Sequence, residues 1–252
     1  GLVAELRAAG VPCLSGIEPL AIEGDAQDGV RALRVRDARG RERRFDCDAV
    51  ALGYHLRSES QLAELAGCTL DFDAASRQWQ PRCDGNGRSD VPGVYLAGDG
   101  ARILGARAAE AAGTLAALAA LHDAGHAVPS RRVASLEREL RGYRRFAEGL
   151  RTAFPWPARL ASRLDDATPV CRCENISAGE LRHAVRDLGA TESNRAKAFS
   201  RVGMGRCQGR YCAHASAEII AAATGCDVAQ AGRLRAQAPV KPISIGCLQD
   251  DT

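Results

Sequence analysis

The sequence predicts an α/β fold followed by a small helical module, and three patterns support this prediction. In the first half, short apolar runs of strand type alternate with segments of helical period. A glycine turn at residues 98–100 separates one apolar run from a long alanine-rich helix. From about residue 166 to residue 225 the period is helical throughout, with a capping-box pattern near its start.

The composition is that of a folded globular chain. Of the 252 residues, 46% are hydrophobic and 26% are charged, and the formal net charge is +3. So small a charge does not indicate nucleic acid as a partner. The longest apolar run, residues 115–121, is far shorter than the roughly 18 residues of a membrane span, and no signal peptide is evident at the start. We therefore expect a cytoplasmic protein with no membrane span.

The first half is predicted to begin with the end of an α/β unit and an antiparallel ribbon. Residues 2–9 have helical period, and residues 11–14 can form a short strand. Turn signals containing Gly24 and Gly40 then separate three ribbon strands. The expected elements are ribbon strands at 20–23, 30–37 and 43–52, buried strands at 49–52 and 94–97, helices at 59–67, 104–121 and 130–151, an irregular or hairpin-like segment at 71–90, and a linker at 154–157.

The second half is predicted to end in a compact helical module. Ser177 and Glu180 form a capping-box pattern ahead of an apolar stripe that Gly189 ends. Two further helices are expected at about 192–199 and 211–223. A module of about sixty residues is close to the size at which a metal or another cross-link is needed for a stable fold.

Ten cysteines are the most unusual feature of the composition. Four of them fall in the helical module as two close pairs: Cys171, Cys173, Cys207 and Cys212. In a reducing compartment this pattern indicates a four-thiolate site that holds zinc or an iron–sulfur cluster. The other six have no matching pairs and are expected to be ordinary thiols: Cys13, Cys47, Cys68, Cys83, Cys226 and Cys247.

The residues around the paired cysteines favour a 2Fe–2S cluster. A cluster held by four thiolates is anionic, so nearby cations and amide donors stabilise it. The segment 195–210 contains no acid and five basic residues, Arg195, Lys197, Arg201, Arg206 and Arg210. Its glycines allow backbone N–H groups to turn toward sulfur. Zinc, or four unrelated buried cysteines, remain as alternatives.

The cysteine motifs resemble a known family. The segments Cys171-Arg-Cys173 and Cys207-Gln-Gly-Arg-Tyr-Cys212 are similar to the 2Fe–2S module of bacterioferritin-associated ferredoxins. More narrowly, they resemble the version fused to the C-terminus of flavoprotein alpha subunits in opine oxidase, hydrogen cyanide synthase, and proline or hydroxyproline dehydrogenase. The tail at residues 239–246 also resembles the end of those subunits.

The glycine turn at residues 98–100 marks a second candidate cofactor site. At the C-terminal edge of a strand, such a turn lets the backbone approach a ligand, and the carboxylate of Asp99 can accept hydrogen bonds from sugar hydroxyls. The following helix would point its N-terminus at a phosphate. Together with residues 48–54, the segment resembles the second half of the FAD domain in Rossmann-like flavoproteins with two dinucleotide-binding domains, in which this aspartate contacts the ribityl chain. The FAD-binding residues are then expected to be Gly98, Asp99, Gly100, Gly105 and Ala106.

One part of the flavoprotein pattern is absent from the sequence. No Gly-x-Gly-x-x-Gly fingerprint follows a strand, and in the family those glycines lie upstream of residue 1. The resemblance therefore implies the C-terminal part of a larger flavoprotein, with an incomplete site that binds FAD weakly or not at all. The expected domains are the end of an NAD-like domain with a connecting β-meander (1–48), the C-terminal half of the FAD domain (49–128), a helical linker (129–165), a helical 2Fe–2S domain (166–226) and an extended tail (227–252).

The resemblance implies an electron-transferring subunit of an FAD-dependent dehydrogenase or oxidase. Its reaction would be on C–N bonds of an amino acid, imino acid or opine, with FAD and the cluster relaying electrons. A beta-type partner flavoprotein subunit would oxidise the substrate, and a small gamma-type subunit is a further candidate partner. No nucleophile or acid–base pair stands out, so no catalytic residue is assigned. The alternative is a non-catalytic ferredoxin-like module that docks to a redox or iron-storage partner.

Overall fold

The computed structural model describes residues 2–158, 160–241, 243–244 and 246. The chain divides into two compact units, Gly1–Tyr54 and His55–Thr252. The sheets among the described residues are all antiparallel. No described helix has both the length and the apolar composition needed to cross a membrane.

The first unit contains one helix and a three-stranded antiparallel sheet. Its elements are α1 at Leu2–Ala8, β1 at Glu18–Asp25, β2 at Gly29–Arg36 and β3 at Glu42–Asp46. The strands lie in the order β1-β2-β3. Ala32 and Val35 of the central strand are fully buried. The predicted ribbon is confirmed.

Two strand predictions in this unit are wrong. Residues 11–14 are irregular and exposed, and β3 ends at Asp46, so the apolar run at 49–52 forms no strand. Leu52 in that run is 55% exposed. A strand needs a neighbour that satisfies its N–H and C=O groups, and no described segment pairs with either run as a strand.

The second unit begins with a short helix, a hairpin and two long helices. The elements are α2 at Gln61–Leu65, β4 at Leu70–Asp73, β5 at Gln78–Pro81, a 3-10 turn at Gly98–Gly100, α3 at Ala106–Asp123 and α4 at Ser130–Ala153. Alanine has the highest helix propensity, which explains the length of α3. Leu115 of α3 packs with Leu136 and Leu140 of α4 in one core. The predicted hairpin and both long helices are confirmed.

Residues 94–97 do not form the predicted buried strand. Tyr95 makes one isolated bridge with Arg88, and the N–H of Leu96 donates to the carbonyl of Gly87 at 2.7 Å. These contacts close a local loop, because no described strand lies beside the segment to extend it into a sheet. The turn at Gly98–Gly100 is therefore positioned by loop contacts and by the start of α3.

The module from residue 169 onward is mainly helical. Its elements are β6 at Pro169–Cys171, β7 at Ile176–Ser177, α5 at Ala178–Arg186, α6 at Ser193–Ser200, α7 at Ala213–Thr224 and α8 at Val228–Ala231. The capping box is formed: the Ser177 N–H donates to the Glu180 carboxylate at 2.8 Å, and the Glu180 N–H donates to the Ser177 hydroxyl at 3.2 Å. Leu181, Ile219 and Ile220 are fully buried in its core.

The module differs from its prediction in three respects. A two-stranded hairpin, β6–β7, precedes the helices. Helix α7 begins at Ala213 and not near residue 211. Helix α8 lies within the segment expected to be an extended tail, because Asp227 and Gln230 form a second capping box that starts a helical turn there.

Candidate metal centre and flavin site

The fold brings the four predicted ligand cysteines to one cavity. Cys171 ends β6, Cys173 follows it in the turn to β7, Cys207 lies between α6 and α7, and Cys212 is the N-cap of α7. All four line a cavity of about 600 Å³. Cys171 and Cys212 are each 1% exposed, whereas Cys173 is exposed and Cys207 is half-buried. Their assignment as ligands stays a prediction.

Thiols of the two sequence pairs are near enough to affect one another's ionisation. Cys173 acts to lower the pKa of Cys207, and Cys171 acts to raise the pKa of Cys212. Among the described residues, no three His, Cys, Asp or Glu side chains come close enough together to hold a single metal ion. The fold therefore brings the two sequence pairs together around one cavity.

Two of the thiols have opposite pKa shifts. Burial raises the pKa of Cys212 to about 12, and the neighbouring Cys171 adds to the rise. Burial also acts to raise the pKa of Cys207, but the backbone N–H of Tyr211, the Cys173 thiol and the backbone N–H of Gly209 outweigh it and lower that pKa. Cys207 is thus the readier thiolate, and Cys212 needs a cation beside it to ionise.

Glycines make the close approach between the two cysteine segments feasible. A Cβ on Gly205 would lie 2.2 Å from the Cβ of Cys173. Gly203 has a φ of +77°, and a Cβ there would lie 2.3 Å from Cδ1 of Leu234. Both positions therefore require glycine, the first for space and the second also for its backbone conformation.

The predicted excess of positive charge around the cysteines is partly neutralised. Arg201 pairs with Glu174 at 2.9 Å, and Arg210 pairs with Glu59 at 2.5 Å. Arg206 lines the cavity and has no carboxylate partner among the described residues. The acids come from outside the basic segment, which is why counting charges within residues 195–210 did not reveal them.

Sequence reasoning missed the contacts that fix the cysteine loop from a distance. The side-chain amide of Gln61 in α2 donates to the carbonyl of Gln208 at 2.8 Å. The Arg210 guanidinium donates to the carbonyl of Cys207 at 3.2 Å. Gln61 lies 147 residues before Gln208, and neither residue belongs to a motif that predicts this contact.

The predicted FAD residues lie in the turn before α3 and at its first residues. Gly98 begins the 3-10 turn with a φ of +61°, and Asp99 is exposed with no hydrogen-bond or ion-pair partner among the described residues. Gly105 is the N-cap of α3 with a φ of +95°, and Ala106 is its first residue. A Cβ on Gly105 would meet no atom within 4 Å. A largely apolar cavity of about 430 Å³ adjoins Gly105.

Part of the predicted tail lies outside the described residues. This part includes Pro242, Ile245 and Cys247, the last of which was expected to be an ordinary thiol. The peptide bond between Ala238 and Pro239 is cis.

Comparisons with known proteins place these features in context. Residues 169–222 match the family model of the BFD-like 2Fe-2S binding domain. Over 236 residues the chain is 36% identical to the opine oxidase A polypeptide of Rhizobium meliloti, and the match covers 92% of this chain and 44% of that protein. Over 211 residues it is 31% identical to the HcnB polypeptide of hydrogen cyanide synthase from Pseudomonas aeruginosa, with coverage of 80% and 43%. The chain spans about half the length of the curated relatives it matches.

A solved structure shares the fold. The crystal structure of L-proline dehydrogenase from P. horikoshii superposes with a TM-score of 0.73 over 98% of this chain and 47% of that chain, at 22% identity. The family match supports the predicted 2Fe–2S cluster. The chain is therefore related over most of its length to the A polypeptides of opine oxidases and to HcnB of hydrogen cyanide synthases, as the cysteine motifs predict.

Proposed function

We propose that this chain is part of an electron-transferring subunit of an FAD-dependent dehydrogenase or oxidase. Its reaction is on C–N bonds of an amino acid, imino acid or opine. The observation that supports the proposal most directly is the cavity lined by Cys171, Cys173, Cys207 and Cys212, within the segment that matches a 2Fe-2S binding domain. The related opine oxidase and hydrogen cyanide synthase subunits support the substrate class.

The donor set of the cavity fits a 2Fe–2S cluster better than zinc. A structural zinc ion needs its four ligands gathered in one tetrahedron, and no three metal-binding side chains among the described residues are gathered in that way. A 2Fe–2S cluster takes four thiolates around two irons. That all four cysteines line one cavity supports such a cluster.

The residues around the cysteines would hold and stabilise the centre. Backbone N–H groups of Tyr211, Gly209 and Arg210 act to lower the pKa of Cys207 and so favour its thiolate. Arg172 and Arg206 line the cavity and place positive charge beside an anionic group. When bound, a 2Fe–2S cluster supplies one-electron transfer, and FAD supplies two-electron chemistry.

On the flavin side, the chain is proposed to contribute the ribityl contacts only. Asp99 has a free carboxylate to accept hydroxyl hydrogen bonds, and the open space at Gly105 lets a ligand approach the N-terminus of α3. A beta-type partner subunit is proposed to oxidise the substrate, and a small gamma-type subunit is a further candidate partner. No described residue is proposed as catalytic.

Anaerobic reduction tests this function. With dithionite, the visible absorption of the chain should bleach on uptake of about one electron per chain, with the EPR signal of a reduced 2Fe–2S cluster. A colourless, EPR-silent chain would contradict the cofactor assignment. In a complex of the whole protein with its beta-type subunit, an amino acid, imino acid or opine should also reduce the cluster. Reduction by dithionite but by none of these substrates would favour the ferredoxin-like module.

A further inference from the structure

A further cavity, of about 350 Å³, lies in the unit that carries the cysteines. It is formed by residues before and within α2, by the β4–β5 hairpin and by residues around α7 and α8. None of the four paired cysteines and none of the predicted FAD residues lines it. Four arginines do: Arg57, Arg77, Arg210 and Arg233.

Three of these arginines are neutralised by carboxylates, and one is not. Arg77 donates to both carboxylate oxygens of Glu218, at 2.9 and 3.1 Å. Arg210 pairs with Glu59 and Arg233 pairs with Glu64, each at 2.5 Å. Arg57 has no carboxylate within 4 Å among the described residues. The cavity therefore has one positive charge in excess.

The environment of Arg57 makes that excess charge costly. Its guanidinium lies over the ring of Trp156, 4.1 Å from the centroid, and one nitrogen donates to the carbonyl of Arg77 at 2.8 Å. The other two nitrogens, Nε and Nη2, are buried and have no hydrogen-bond partner. Burial lowers the pKa of Arg57 to about 10, which shows how poorly the cation is compensated.

Other residues that line this cavity also have polar atoms without a hydrogen-bond partner. They are Oγ of Ser58, Nε1 of Trp79, Nη2 of Arg210, Oε1 of Gln61 and Nε2 of His214, each buried without a hydrogen-bond partner. This set contains more hydrogen-bond donors than acceptors, because the amide oxygen of Gln61 is the only atom in it that can accept but not donate. Native proteins leave few buried polar groups unsatisfied, so a cavity that collects several of them is suited to a ligand rich in acceptors.

We propose that this cavity binds a small molecule through an oxyanion, a carboxylate or a phosphate group, which is held by Arg57 with Ser58, Trp79 and Arg210. The oxyanion neutralises the unpaired guanidinium and accepts the free N–H and O–H groups. A volume of about 350 Å³ suits a metabolite-sized ligand. The cavity adjoins the cysteine cavity at Tyr211, but none of the four paired cysteines lines it, so the proposal does not depend on the function proposed above.

Tryptophan fluorescence provides a direct test, because the two tryptophans of the chain are both beside the site. The chain, purified as it folds with its metal centre, is titrated separately with inorganic phosphate and with succinate. At least one of them should produce a saturable change at about one equivalent. Arg57→Gln should weaken that binding by about tenfold or more, the usual effect of losing a hydrogen bond to a charged group. The exposed Arg138→Gln is the matched control and should not change it.

The outcomes separate the two ligand chemistries. Saturation by phosphate alone identifies a phosphate ligand, and saturation by succinate alone identifies a carboxylate. If neither saturates at about 10 mM in the wild-type chain, or if Arg57→Gln binds as tightly as wild type, the proposal is wrong. Should Arg57→Gln fail to fold, Ser58→Ala replaces it, with an expected weakening of about threefold, and unchanged affinity in that variant would overturn the proposal.

Discussion

The cysteine region and the flavin-side region lie in the same unit, but they differ in how completely they surround the group that each is proposed to bind. Four thiols from β6, the following turn, the α6–α7 loop and α7 line one cavity, with two of them almost fully buried. Around Gly105, by contrast, the backbone faces open space, and Asp99 is exposed without a partner. The described residues include all four proposed ligands of the cluster, but they form only one side of the proposed flavin site. Binding should therefore be strong at the cysteines and weak at the flavin side.

The largest effect is expected from removing one thiol. Cys207→Ser should abolish the visible absorption of the cluster and lower the melting temperature, because cluster binding and folding of residues 166–225 are coupled. Cys13→Ser, an exposed cysteine outside this unit, is the control and should retain full iron. Iron content and thermal melting of both variants check the prediction, and colour with unchanged helix content in Cys207→Ser would show that the ligand set is wrong.

A clash beside Cys173 should have the next largest effect. In Gly205→Ala the new Cβ would lie 2.2 Å from the Cβ of Cys173, so the loop must move and cluster loading should fall by more than half. Gly142→Ala in α4 is the matched control, since its Cβ meets nothing within 4 Å and it should stabilise the chain by about 0.5 kcal/mol. Equal iron loading in both variants would exclude a close approach at Gly205.

The ion pair between Arg77 and Glu218 joins the turn of the β4–β5 hairpin to α7. Its loss should have a smaller effect on stability than the two changes above. Glu218 is 5% exposed, so Arg77→Gln should lower the free energy of unfolding by about 2 kcal/mol. Arg82→Gln removes an exposed pair with Asp71 and should cost under about 0.5 kcal/mol. Urea unfolding of the two variants measures the difference, and similar costs would mean that the buried pair is not stabilising.

The same pair gives a pH dependence with a definite sign. Burial acts to raise the pKa of Glu218, but the neighbouring His214, 3.3 Å away, and the hydrogen bonds from Arg77 outweigh it and lower that pKa below its usual 4.5. The unfolded chain therefore binds this proton first, so the contribution is present above about pH 4.5 and is lost as the pH falls below it. Glu218→Gln should remove this part of the acid dependence, which urea midpoints between pH 6 and pH 3 would reveal.

The smallest effect is expected on the flavin side. FAD should bind to this chain weakly or not at all, and Asp99→Ala should leave iron content and melting temperature unchanged, because Asp99 contacts no described residue through a hydrogen bond or ion pair. Flavin fluorescence during titration checks the first part. Tight, stoichiometric binding of FAD would contradict the comparison between the two regions.

Local signals in the sequence were enough for the helices before residue 225 and for the grouping of the cysteines, whereas helix α8 was missed. The capping box at Ser177 and Glu180, the turns of the ribbon and the two cysteine pairs each depend on residues close together in the chain. Runs 49–52 and 94–97 were predicted as strands because apolarity was read without knowing whether a neighbouring strand was there. Strand formation depends on that neighbour, and local pattern does not report it.

Long-range contacts were also beyond sequence reasoning. The amide of Gln61 that binds the carbonyl of Gln208, and the carboxylate of Glu59 that neutralises Arg210, come from about 150 residues earlier in the chain. Their partners depend on tertiary folding and on no recurring motif. The unpaired Arg57 is visible only once the burial of its guanidinium and the partners of its neighbours are known.

Metal and sulfide analysis of the purified wild-type chain tests the central claim most directly. With protein handled anaerobically, iron, acid-labile sulfide and zinc are measured on the same sample. We predict about two iron atoms and two sulfides per chain, with little zinc. Zinc near one atom per chain, without iron or sulfide, would contradict it.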